Sequence, residues 1–409
     1  MKEEEFARRL EECGAEAYIV GGWVRDSLRG TKPKDKDYMI CKCSEETFVS
    51  LFPGAAKVGK SFPVYLLEID GEKCEVAFAR RERKDGTGYR GFQVEYGPEV
   101  TLEEDLYRRD STMNSMALRL SDRAIVDPYG GRDDIAAGRI RAVSHHFRDD
   151  PVRALRAARQ AAELDFAITE ETYDHMAACG RELAGEPQER LLEEMKKALA
   201  AKMPSVFFRA LQKAGLLAIA FPEIFALIGK TQPEAFHPEG DAFEHTMLIV
   251  DKVAAETASL TARFAGLAHD LGKGRTPADM LPHHYGHEIK GLEVLDHWNR
   301  HMTLPREWMK AASFVIREHM RAPRLSKPGK IAALLLGLSR SGLAVEEFQA
   351  VIRADHGRLP DYLEDAGRLI EAMGKVAGQE APEGLSGAAI GEWVRSRQVK
   401  VLQAALRGQ

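Results

Sequence analysis

Apolar residues in the first part of the chain come in short runs separated by Gly, Asp and Lys clusters, the pattern of a domain mixing strands and helices. Ala17-Tyr-Ile-Val predicts a strand entering Gly21-Gly22, and Trp23 to Leu28 then reads as helix. Tyr38-Met-Ile-Cys predicts a second strand, followed by a helix near Ser44 to Leu51. Pro63 to Ile69 and Lys73 to Ala79 predict a hairpin turning at Asp70-Gly71. Arg80 to Gly91, polar and Gly-rich, is expected to be a mobile loop. From Asp149 onward the spacing turns helical, over Val152 to Leu164, Glu189 to Ala201, Val206 to Leu216 and several segments after Phe243. An α+β head followed by an all-helical body and tail is therefore expected. The expected divisions are 1–140, 141–225, 226–330 and 331–409, with Pro-rich breaks at Gly185-Glu-Pro187 and between Gln232 and Pro238.

Composition narrows the class. Hydrophobic content of 44% and charged content of 30% over 409 residues are those of a globular protein of two or three domains. No stretch approaches the ~20 apolar residues that span a bilayer, and the polar start predicts a cytoplasmic protein. Five scattered cysteines predict free thiols, because Cys41-x-Cys43 has no second pair to complete a zinc knuckle. A net charge of −5 leaves room for a local basic stripe facing RNA.

The first chemical signal is Val20-Gly-Gly-Trp-Val-Arg-Asp, then Lys34-Asp-Lys-Asp-Tyr-Met-Ile. At Gly21 and Gly22 the backbone N–H groups can approach phosphates at a helix start, and Arg25 lies one turn on. Asp35 and Asp37, at i and i+2 on a strand, would point to one face and share hard cations. That geometry serves two-metal nucleotidyl transfer. The competing reading is a solvated charged turn, with Lys34 and Lys36 interleaving the acids. Glu75 is a candidate third carboxylate on the facing strand, or a surface residue.

These segments resemble the nucleotidyltransferase head of the bacterial-type (class II) CCA-adding tRNA enzymes, in particular those carrying a C-terminal HD domain. Val58-Gly-Lys-Ser-Phe-Pro-Val-Tyr, the run from Leu102 to Ala117 and Asp127-Pro-Tyr-Gly-Gly-Arg-Asp-Asp continue the likeness. Ser111 and Ser115 depart from the family's RRDFTxNA pattern, which keeps Arg108, Arg109 and Asp110. The resemblance implies a polymerase-β-like head in which Arg109 and Asp110 help hold the nucleotide and its ribose.

Asp149-Asp150-Pro151-Val152-Arg153-Ala154-Leu155-Arg156 resembles the family's EDPxRxLR element. Three apart on one helix face, Asp150 and Arg153 would present an acceptor beside a donor. Cytosine and adenine match that pair, whereas uracil and guanine turn a carbonyl toward the carboxylate. Arg156 is expected to join this pocket. The alternative is a capped helix start with Pro in its first turn. In the family an intact loop at Arg80 to Gly91 accompanies the switch to A, so complete CCA addition is expected over CC addition. Glu189 to Lys197 resembles the family's neck helix; Lys196 and Lys197 face tRNA or solvent.

The tail carries an ordered series, His245, His269-Asp270, His287 and His319. Adjacent His and Asp on an apolar helix are costly to bury without a ligand, and a metal would answer that cost. The series resembles the HD phosphohydrolase superfamily. That likeness implies His245, His269, Asp270 and Asp355 as ligands, with His287 and His319 as further candidates for ligands or phosphate contacts. His175 and His301 read as satisfied structural residues.

The resemblance implies CTP, ATP and tRNA as partners, Mg²⁺ at Asp35 and Asp37, and a divalent transition metal in the tail. It also implies possible phosphatase or 2′,3′-cyclic phosphodiesterase activity there. Three alternatives are a poly(A) polymerase sharing the head, a metal phosphohydrolase whose head only binds RNA, and an alarmone enzyme. Alarmone enzymes place the HD domain first, the reverse of the order here.

Overall fold

A computed structural model describes residues 1–33, 35–58, 62–86, 91–235 and 237–407. Lys34, Gly59 to Ser61 and Thr87 to Arg90, all within segments quoted above, lie outside the described residues. The chain forms two compact units, residues 1–191 with 209–220, and residues 192–208 with 221–409.

The first unit is built on strands β1 (Glu16–Val20), β2 (Asp37–Cys41), β3 (Ala56–Lys57), β4 (Val64–Ile69) and β5 (Glu72–Phe78). β6 (Arg80–Lys84), β7 (Phe92–Tyr96), β8 (Ala117–Arg119) and β9 (Ile125–Val126) follow. Seven of them form a mixed sheet in the order β3-β4-β5-β2-β1-β8-β9. β2 and β5 run parallel, and the other neighbours pair antiparallel. β1 and β2 are apolar at nearly every position because both faces of the sheet are covered. Ile19, Tyr38 and Ile40 join Phe6, Leu10 and Phe48 on one side. Tyr18, Val20, Met39 and Cys41 join Leu102 and Leu106 on the other. The expected hairpin turns at Asp70 and Gly71, whose φ values are +52° and +83°. Gly21, at φ +74°, makes the sharp exit from β1 into the helix Gly22–Leu28.

The expected loop at Arg80 to Gly91 is corrected over its first part, where Arg80 to Lys84 is a strand, paired in register with Phe92 to Tyr96. Its sequence, RRERK, has low strand propensity and no apolar face. Glu82 instead pairs with Arg80 at 2.7 Å and with Arg108 at 3.1 Å, and Lys84 with Glu182 at 2.5 Å. Charge pairing supplies what apolar alternation would have signalled.

The second unit is helical. Helices Ala242–Glu256, Leu260–Ala268, Arg306–Glu318, Pro328–Leu338 and Val345–His356 share one core. It contains Ile249, Val253, Ala265, Phe314, Leu335, Phe348 and Val351, with Leu369 and Leu402 from the last helices. Phe264 stacks on Trp308 with ring centroids 4.5 Å apart. Among the described residues no helix is long and apolar enough to cross a membrane. All five cysteines are free.

Candidate active site and metal centre

In the head, Asp37 opens β2 and stands in register with Glu75 on β5. Asp35 lies ahead of the strand rather than on it, which corrects the i, i+2 argument. The two acids nonetheless share a field with Glu75. Partial desolvation pushes the Asp37 carboxyl above its ordinary value, Glu75 and Asp35 push it further, and Arg109 opposes them. Carboxylates that repel one another call for a cation. Lys36 is not that cation: its ammonium binds Glu3 at 2.8 Å and lies over the Trp23 ring. Lys36 is thereby removed from the charged-turn reading, and the described acids fit a divalent ion.

Around these acids the arginines are held in fixed poses. Arg25 donates to both carboxylate oxygens of Asp26 at 2.9 and 3.0 Å and to Asn114 at 2.9 Å. Gly22 presents no side chain here; a Cβ on it would stand 3.5 Å from the Arg25 guanidinium. The helix Leu102–Tyr107, with a Thr101–Glu104 capping box, buries Asp105. Asp105 accepts from Arg108 at 2.6 Å and from Arg109 at 2.9 Å. Burial alone would raise its carboxyl, but the two guanidiniums outweigh it and hold it at about 2.

Asp110 is buried and accepts from Asn114 at 3.1 Å and from Arg156 at 2.8 and 2.7 Å. Arg156 outweighs the cost of burial and keeps this carboxyl well below the usual carboxylate range. Arg153 is almost enclosed, donating to the His146 carbonyl at 2.6 Å, with Glu82 at 4.0 Å. Burial pulls its guanidinium below the ordinary value, while Asp110 and Asp150 oppose that shift.

Asp150 does not share a helix face with Arg153. The helix is Val152–Leu164 with Pro151 at its N-cap, and Asp150 is extended at φ −117°, ψ 108°. A proline ring clashes with an αR residue before it, which forces this extension. The Asp150 carboxylate accepts from Val152 N–H at 3.2 Å and from Arg190 at 2.7 Å. Arg190 also binds Glu186 at 2.6 Å. Sequence reasoning missed Glu82, Asp105 and Arg190 as members of this network. The first lay in a presumed loop. The other two sit at i,i+3 or i,i+4 from their charged partners Arg108, Arg109 and Glu186, a spacing that could have found them. Lys196 and Lys197 pair within their own helix with Glu193 and Glu194.

In the second unit His245, His269, Asp270, His287, His319 and Asp355 converge and are all buried. His269 and Asp270 leave the end of helix Leu260–Ala268 in a tight turn. Gly272 makes that turn possible, since a Cβ there would fall 1.9 Å from the His287 carbonyl oxygen. The Nδ1 atoms of His269 and His287 face carbonyls of Gly266 and His284 at 2.7 and 2.8 Å, and His319 Nδ1 faces that of Val315 at 3.1 Å. A carbonyl only accepts, so each Nδ1 carries the proton and Nε2 keeps its lone pair. His245 Nδ1 is likewise backed by Glu239.

The Nε2 atoms then meet head on, His245 with His269 at 3.2 Å and His287 with His319 at 3.4 Å. Two lone pairs cannot satisfy each other, and a divalent ion shared by the paired nitrogens would satisfy both. Asp270 joins both pairs. Its Oδ2 is 3.1 Å from His269 Nε2 and 2.6 Å from Lys273 Nζ, and its Oδ1 is 3.4 and 3.5 Å from His287 and His319. That Oδ1 has no hydrogen-bond partner. Asp355 Oδ1 stands 3.2 Å from His245 Nε2. These donors, with backed imidazoles and an orphaned carboxylate oxygen, fit a divalent transition metal. His175 is satisfied as expected, accepting from Arg148 at 2.9 Å.

A mixed sheet bearing paired acids, followed by a helical histidine–aspartate centre, defines a nucleotidyltransferase joined to an HD domain. Residues 17–141 match the poly A polymerase head domain. Residues 165–228 match a probable RNA and SrmB-binding site of polymerase A, and 242–373 the HD domain. The chain is 38% identical over 408 residues to the multifunctional CCA protein of Nitrosococcus oceani, covering 96% of this chain and 98% of that one. It is 40% identical over 406 residues to that of Thioalkalivibrio sulfidiphilus, covering 94% and 97%. Its fold resembles a Bacillus stearothermophilus CCA-adding enzyme in complex with CTP, with TM-score 0.67, 24% identity, and 99% and 92% coverage. The chain belongs to the bacterial-type CCA-adding nucleotidyltransferases with a C-terminal HD domain.

Proposed function

We propose that this chain adds CMP, CMP and then AMP from CTP and ATP to the 3′ end of tRNA, and that Asp35 and Asp37 hold Mg²⁺ for the transfer. The observation that carries the reading is the mutual field of Asp35, Asp37 and Glu75, while Lys36 is engaged by Glu3 instead. Bound Mg²⁺ supplies activation of the attacking 3′-hydroxyl and charge relief on pyrophosphate. Gly22 leaves room for the triphosphate beside Arg25, and Arg109 turns its guanidinium to the phosphates from its anchor on Asp105. Asp110 receives the ribose. Asp150 and Arg153 read the base edge, with Arg156 alongside. In this role Arg153 donates to the base acceptor, and Asp150 accepts the exocyclic amino proton.

Full CCA addition is supported by the β6–β7 hairpin, which is tied by Glu82 to Arg108 and by Lys84 to Glu182. The division of labour follows the four segments: 1–140 for transfer, 141–225 for base reading and tRNA support, 226–330 for the HD centre, and 331–409 for its packing. Asp355, from the last segment, completes the donor set. In the HD centre His245, His269, Asp270 and Asp355 hold a divalent transition metal, with His287 and His319 supporting it. The bound ion supplies a polarised water for phosphoester cleavage. Lys273 beside Asp270 is placed to bind the phosphate.

The test is to incubate purified protein and Mg²⁺ with tRNA lacking its terminal nucleotides, supply CTP and ATP, and sequence the product ends. CCA ends support the reading. A long homopolymer from ATP alone would mean a poly(A) polymerase. Phosphate release from cyclic ends without any incorporation would leave only the phosphohydrolase.

A further inference from the structure

His301, expected to be a satisfied structural residue, instead stands in a second donor cluster. His297 and His301 are four apart on the helix His287–Met302 and so share one face. Their rings lie 5.6 Å apart. Glu223, from the short helix Pro222–Phe225, reaches both: its Oε1 is 3.6 Å from His297 Nδ1 and 3.7 Å from His301 Nε2. The three donor atoms lie within 4.8 Å of one another. The Glu223 side chain is 5% exposed, and its Oε2 has no hydrogen-bond partner.

We propose that Glu223, His297 and His301 form a further binding site for a zinc-class divalent ion, outside the HD centre. The separations are longer than hydrogen bonds. They approach the edge of a tetrahedron around an ion with ligand bonds of 2.0–2.2 Å, which is roughly 3.3–3.6 Å. The His301 Nδ1–H donates to the His297 carbonyl at 3.1 Å, which leaves the Nε2 lone pair facing the carboxylate. Burying a carboxylate with one orphaned oxygen is costly unless a charge meets it. The His297 ring is exposed, so solvent can fill the remaining coordination position.

The scaffold under the site is rigid. Trp298, the residue after His297, is fully buried, and its ring is 6.5 Å from that of Phe221. Phe221 in turn packs on Phe207 and Phe208, at 5.8 and 5.9 Å. His297 and His301 are therefore presented to Glu223 by core packing. The site is separate from the HD centre: His287, on the same helix, is fourteen residues from His301, about 21 Å along the axis at 1.5 Å per residue. An ion here would clip the segment leading into the HD domain to the helix that carries His287.

Metal-stripped full-length protein, dialysed against Zn²⁺, is expected to bind one more equivalent than the H297A/H301A variant. E223Q should weaken that equivalent by at least about tenfold. Nucleotide addition and phosphoester hydrolysis should be unchanged in both variants, which also reports that they fold. Should the double variant fail to fold, H297Q at the exposed ring decides in the same way. Equal zinc stoichiometry in wild type and variants overturns the proposal. So does a stability loss in E223Q at acid pH without any change in zinc uptake, which would mean a simple ion pair with protonated imidazole.

Discussion

The two sites solve opposite electrostatic problems. The head carries its cations as side chains, each anchored in advance: Arg25 on Asp26, Arg109 on Asp105, Arg156 on Asp110 and Arg190 on Asp150. The HD centre gathers imidazole lone pairs and carboxylates, with the Lys273 ammonium at Asp270. The first is a prepared receptor for an anion, the second a prepared receptor for a cation. The same residue type thus stands in different company in each: Asp26, Asp105, Asp110 and Asp150 pair with arginines in the head, whereas Asp270 and Asp355 face imidazoles in the tail.

If that contrast holds, the two activities should separate cleanly. Asp37→Ala should lower nucleotide incorporation by about a thousandfold or more while leaving phosphoester hydrolysis intact. Asp270→Ala, which removes the carboxylate shared by both histidine pairs, should do the reverse. Paired assays on each variant check this, and loss of both activities in either variant breaks the comparison. Arg153→Ala should lower the preference for C and A over U and G by roughly ten- to a hundredfold, measured as the ratio of kcat/KM values. Unchanged selectivity would remove Arg153 from base reading.

The buried Asp105 sharpens the point through pH. Its carboxyl is held at about 2, below its ordinary value, so its stabilisation is present above pH ~4 and is lost as the pH falls toward 2. That shift is worth on the order of 2 kcal/mol. Asp105→Asn should be less stable at neutral pH and lose less in that acid window, as followed by acid unfolding. Smallest is Arg190→Ala: Asp150 loses an anchor, and incorporation should fall roughly three- to tenfold. A rate equal to wild type would mean that Pro151 alone sets the carboxylate.

Most of this was legible in the sequence where apolar period and chemistry agreed. β1, β2, the Asp70-Gly71 hairpin and the helix delivering His269 and Asp270 appear where the pattern places them. The chain also brings His287 and His319 to Asp270, though they are 17 and 49 residues beyond it, because helices Leu260–Ala268, His287–Met302 and Arg306–Glu318 pack together. β6 was not legible, since its strand is held by Glu82 and Lys84 rather than by an apolar face. Asp150 was misplaced by treating three-residue spacing as a helix face while Pro151 sat in between. The Glu223–His297–His301 cluster was invisible because its carboxylate is 74 residues from its nearer imidazole.

Pro151 has one more effect. A free aspartate would lose backbone freedom on gripping a base, and that loss would be subtracted from affinity. By confining the residue ahead of it, the proline imposes the loss when the chain folds, so in the proposed base-reading role the carboxylate would need no further backbone ordering. On that proposal, discrimination between pyrimidines would rest on a rigid ruler rather than on a hand that closes.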